Sequence, residues 1–112
     1  MISDRFDFHA SLWTTRSPRH VAKLFASPTW QVRKSSWTDY EIESPFAELE
    51  IMAWSPILLN GFVADAGPSV DRILVTLQSA GIAYDGECYE SDGTLLREFR
   101  WNVEGGRVEV AD

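Results

Sequence analysis

Only two segments of this chain place apolar residues at helical spacing. Val21, Leu24 and Phe25 fall at i, i+3 and i+4, and Val70, Ile73, Leu74 and Leu77 repeat the pattern. Each gives one buried stripe on a short helix. Much of the rest alternates. Phe6, Phe8, Ala10 and Leu12 alternate with Asp7, His9, Ser11 and Trp13. Ala47, Leu49, Ile51 and Ala53 alternate with Glu48, Glu50, Met52 and Trp54. This is the period of half-buried strands. Two helices are too few for a doubly wound sheet, and the strands are too few for a sandwich. The pattern restricts the chain to the α+β class, with one mostly antiparallel sheet and both helices packed on one face.

Punctuation sets the boundaries. Ser17 caps the first helix, with Pro18 at its first position, and Ser27-Pro28 ends it. Trp30–Lys34 and Trp37–Glu43 read as one bent strand or two short ones, followed by a turn at Ser44-Pro45. Residues Ser55 to Ala66, interrupted by Pro56 and Asn60-Gly61, read as a short strand or a packed loop. Ser69 is the expected cap of the second helix, Asp71 lies in its first turn, and Gly81 fits a left-handed C-terminal position. Ile82–Glu90 and Leu95–Val103 form a hairpin around Ser91-Asp92-Gly93. Arg107–Val110 pairs back across Glu104-Gly105-Gly106. The expected order is β-α-β-β-(β)-α-β-β-β, read as a ferredoxin-like core with added C-terminal strands. No repeat or linker divides the 112 residues, so residues 1–112 are read as one domain.

Charge narrows the partners. The net charge is −7. Residues 1–38 carry net +4 and residues 39–112 net −11. That balance points away from nucleic acid, which needs clustered Lys and Arg, and towards a protein with a basic surface. The single cysteine, Cys88, fits a reducing compartment. The first residues lack a basic start followed by an apolar run, and no apolar stretch is long enough to span a bilayer. A cytoplasmic location, with no membrane partner, is the expectation.

Catalytic and metal signatures are missing from the sequence. His9 lies beside Asp7 on the polar face of the first strand, and His20 lies in the first turn of the first helix. Neither has a partner in sequence. Asp7-x-His9 with Glu87 or Cys88 is the one combination that resembles a ligand set, and it lacks the local spacing of a metal site. Cys88 shares a strand face with Ile82, Tyr84 and Gly86 and reads as core. No phosphate loop occurs. The chain is expected to be no enzyme and to hold no cofactor or metal.

Glu41, Glu43, Glu48 and Glu50 alternate with Ile42, Leu49 and Ile51, as on the solvent face of a sheet. Trp30, Trp37, Trp54 and Trp101, with Phe46, Phe62 and Phe99, are available for the core. Trp13 and Trp54 fall on polar faces, where an indole beside carboxylates is an interface anchor. In size, charge and class the chain is similar to the small acidic immunity proteins and inhibitors that neutralise bacterial toxins. That resemblance implies a protein-binding module that occludes a basic surface on a toxin or nuclease. The expected contact residues are Trp54, Glu48, Glu50, Glu87, Tyr89, Glu90, Asp92 and Glu98. The alternative is a small-ligand domain or minor enzyme, with a pocket between helices and sheet that uses His9, His20 or Tyr84.

Overall fold

The computed structural model describes residues 5–103 and, for the backbone, residues 106–110. Its elements are β1 (Phe6–Trp13), α1 (Pro18–Leu24), β2 (Gln31–Lys34), β3 (Tyr40–Ser44), β4 (Ala47–Met52), β5 (Ile57–Val63), α2 (Pro68–Ser79), β6 (Ala83–Tyr89), β7 (Leu95–Asn102) and β8 (Gly106–Val110). Among the described residues these strands form one eight-stranded sheet, ordered β2-β3-β4-β5-β1-β6-β7-β8. Every neighbouring pair is antiparallel. The turn expected at Glu104-Gly105-Gly106 falls partly outside the described residues.

Alternation decides the two faces. Phe8, Ala10 and Leu12 of β1, Leu49 and Ile51 of β4, Leu59 and Val63 of β5, and Tyr84 and Cys88 of β6 all point to one side. There they join Val21, Ala22 and Phe25, together with Val70, Ile73, Leu74 and Leu77, in one core. Helix α1 rests on β3 and β4, and α2 rests on β6. Both helices therefore cover the same face of the sheet. Among the described residues no helix lies over the other face.

In the middle of the chain the structure decides between the readings left open by the sequence. Residues 31–44 form two strands joined by a turn, and Ile57–Val63 is a full strand between β4 and β1. Asn60-Gly61 reads as a turn, yet it lies mid-strand. A Cβ on Gly61 would meet the Glu48 carbonyl oxygen at 2.1 Å, so the close approach of β4 requires glycine there.

The cap of α2 is also corrected. The helix starts at Pro68 with Gly67 as N-cap, and Ser69 lies inside the first turn. Asp65 supplies the side-chain bonds. Its Oδ1 accepts from the backbone N–H groups of Gly67 and Ser69, both at 3.0 Å, and its Oδ2 accepts from the Ser69 hydroxyl at 2.7 Å. Burial raises the Asp65 pKa, but the bonds from Ser69 and Gly67 outweigh it and hold the carboxyl below its ordinary value. A lowered folded-state pKa contributes stability above the unfolded value, and that contribution is lost as pH falls through the folded one. Asp65→Ala should therefore cost about 1–2 kcal/mol at pH 7. The gap to wild type should narrow below about pH 4. Urea melts across that range check the sign.

Candidate protein-binding face

The face without helices carries the odd-numbered residues of β1 and β3, the even-numbered residues of β4 and β5, and their register partners. One row can be followed across the sheet: Arg33, Glu41, Glu50, Asn60, His9, Glu87 and Glu98. The parallel rows add Glu43, Glu48, Phe62, Asp7 and Tyr89 on one side, and Met52, Leu58, Ser11, Asp85 and Arg100 on the other.

The carboxylates form two banks. Glu41, Glu43, Glu48 and Glu50 stand on β3 and β4, and Asp85, Glu87 and Glu98 stand on β6 and β7. Between them lie β5 and β1, with Leu58, Asn60, Phe62, His9 and Ser11 and one further carboxylate, Asp7. At a strand spacing of about 4.8 Å, β4 and β6 run about 14 Å apart. Within the banks, Glu41 is directly opposite Glu50, Glu43 opposite Glu48, and Glu87 opposite Glu98. Like charges in cross-strand register are destabilising. The Glu87 charge, with some burial and Glu98 adding to it, raises the Tyr89 hydroxyl pKa above its ordinary value.

Part of this charge is balanced. Arg33 Nε donates to Glu41 at 2.6 Å. Arg5 reaches Glu48 at 3.3 Å and lies over the Phe62 ring. Ser35 donates its hydroxyl to Glu50 at 3.4 Å. His9 donates from Nδ1 to Asn60 Oδ1 at 3.3 Å. A shallow cavity of about 300 Å³ opens between Arg33, Glu43, Glu48, Glu50 and Phe62. A smaller one of about 220 Å³ lies between Asp85, Glu87, Glu98 and Arg100. Both suit the end of a cationic side chain.

The expected contact residues divide by position. Glu48, Glu50, Glu87, Tyr89 and Glu98 come together on the open face. Trp54 lies just past β4 at one end of the sheet and is exposed. Glu90 and Asp92 lie at the other end, in the β6–β7 turn. Asp92 also holds that turn, accepting from the Thr94 backbone N–H at 2.9 Å. The hydrogen bonds from Thr94 lower its pKa.

The tryptophans are corrected in part. Trp30 packs edge-on against Phe25 and Phe46, and Trp101 stacks on Tyr84, both against the core. Trp37 does not join it, and Trp54 is exposed, as its place on the polar side of its strand implied. Phe62 lies half-buried on the open face, not in the core. Sequence reasoning missed Trp37 as an exposed ring. The signal was its setting, Ser35-Ser36-Trp37-Thr38-Asp39, a run of turn-forming residues.

The residues of the alternative reading do not converge. His9 is on the open face, whereas His20 is on the helix side and accepts from Arg16 at 2.9 Å. Tyr84 is buried and its hydroxyl accepts from Gln78 at 2.8 Å. Burial pushes the Cys88 thiol up to about 11. Among the described residues no cluster of His, Cys, Asp and Glu is placed to hold a metal. No helix of the described residues is long and apolar enough to cross a membrane. No family model matches the chain, nor does any curated protein or solved structure.

Proposed function

We propose that this protein is a binding module whose open sheet face engages a basic surface on another protein, in the manner of an inhibitor or immunity protein. The observation that carries this reading is the set of carboxylate pairs held directly opposite one another, Glu41–Glu50, Glu43–Glu48 and Glu87–Glu98. Such pairing costs stability in the isolated chain. A partner's Lys and Arg side chains offset that cost on binding and are steered there by the field of the face. The lone buried Cys88 suits a cytoplasmic site of action.

We read the strand order β6-β1-β5-β4, with α1 and α2 as the crossovers, as a ferredoxin-like core. The β2–β3 and β7–β8 hairpins then widen the open face on both flanks.

Isothermal titration with a deca-arginine peptide tests the electrostatic part. Binding at 50 mM salt should weaken at least about tenfold in the double reversal E50K/E87K. Lys23→Ala, on the exposed side of α1, should leave it unchanged. Equal binding by wild type and E50K/E87K would remove the open face from the site.

A further inference from the structure

The same sheet ends in a rim of exposed aromatic rings. Trp37 is 91% exposed in the β2–β3 turn, Trp54 64% in the β4–β5 connection, and Trp13 55% at the end of β1. The register puts all three at one end of the sheet, with exposed Val103 following β7 there. With strands about 4.8 Å apart, the tips follow one another at steps of about 7–12 Å. Rings so spaced do not fill one pocket. A folded partner would need a separate socket for each, whereas a fluid headgroup layer takes each ring independently. Indoles favour that layer, being apolar with one polar edge.

Among the described residues carboxylates are sparser at this end, where Asp85 of the acidic face reaches Trp13. Residues 14–16, 35–39 and 53–56 contain one carboxylate, Asp39, which already accepts from the Ala53 backbone N–H and the Thr38 hydroxyl. The Trp13 indole N–H donates to Asp85 at 2.8 Å. Lys34 lies 5.4 Å from the Trp37 ring centre. Beside Trp13 an open cavity of about 580 Å³ is lined by Thr14, Thr15, Arg16 and Ser55. The Arg16 guanidinium already donates to the Ala80 carbonyl oxygen and to His20, each at 2.9 Å, which holds it in place. Its remaining N–H groups and the hydroxyls are donors that suit a phosphodiester.

We propose that this end rests on a zwitterionic phospholipid surface, with the three indoles in the headgroup layer and a lipid phosphate at the Arg16 cavity. The composition of the whole chain argues against a membrane; the composition of this end does not. The protein lies on the bilayer without spanning it.

Phosphatidylcholine vesicles test this by cosedimentation and tryptophan emission. Wild type should sediment with the vesicles, and its emission should shift to the blue. Trp37→Ser with Trp54→Ser should weaken partitioning at least about tenfold, with melting unchanged because both rings are exposed. E50K/E87K should bind vesicles as wild type does, which separates this surface from the acidic face. Wild type left in the supernatant with unshifted emission would overturn the proposal, as would full vesicle binding by the double serine variant. Tighter binding when phosphatidylserine is added would also overturn it, by assigning attraction to Lys34 and Arg16. If the serine variant instead weakens capture of a protein while no form binds vesicles, the rim is a protein contact and the lipid assignment is wrong.

Discussion

Gly86→Ala is expected to destabilise the fold by at least about 3 kcal/mol, and to leave little soluble protein at 37 °C. A Cβ at Gly86 would lie 2.2 Å from the His9 carbonyl oxygen and 2.8 Å from the Ala10 Cα. Both are backbone atoms of β1, one of the two central strands, so neither can rotate away. Gly61 on the other flank of β1 meets the backbone of β4 in the same way. Gly93 supplies the contrast. Its φ of +92° favours glycine, but a Cβ there would meet nothing within 4 Å. Gly93→Ala should cost about 1 kcal/mol. Urea melts of the two variants decide between them, and equal costs would mean that the sheet opens at β6 more easily than its packing implies.

The second large effect belongs to the core. Leu74→Ala on α2 and Leu49→Ala on β4 should each cost about 2–5 kcal/mol, since both side chains are buried in the single cluster beneath the helices. Glu50→Ala, one residue from Leu49, should change stability by no more than about 0.5 kcal/mol. Its removal also relieves the charge of Glu41 directly opposite. Chemical denaturation of all three variants checks the register. Similar losses for Leu49 and Glu50 would place β4 one residue out of step, since a shift of one exchanges the faces.

Much of this architecture was legible because it rests on local periodicity. The stripe of Val70, Ile73, Leu74 and Leu77 gave α2, and Asp92-Gly93 gave the β6–β7 turn. Leu49 and Ile51 against Glu48 and Glu50 gave the faces of β4. Strand β5 was legible only as one of two readings, a short strand or a packed loop. Pro56 and Asn60-Gly61 are turn residues by local chemistry, and only the approach of the β4 backbone makes Gly61 a strand residue. The cap of α2 was misplaced for a similar reason. Ser69 has the right side chain, but Asp65 reaches past Pro68 to take the bonds. At the site, the alternation of glutamates was visible, whereas their pairing across strands depends on register, which one sequence does not specify. Trp54 was legible as an exposed ring from its place on the polar side of its strand, whereas Trp37 was available for the core by composition and is held outside it by the turn that carries it.

The most direct test of the acidic face is the rate at which the protein meets its physiological partner. Affinity capture from cells of the native host, with wild type and E50K/E87K side by side, supplies a partner whose recovery depends on the face. Stopped-flow association is then measured with that partner at about 50 and 500 mM salt. Wild type should associate at least about tenfold faster at low salt, and E50K/E87K should lose most of that advantage with its melting temperature nearly unchanged. A wild-type rate indifferent to salt, matched by the reversed variant, would contradict the account and leave the carboxylate banks as a solvated surface.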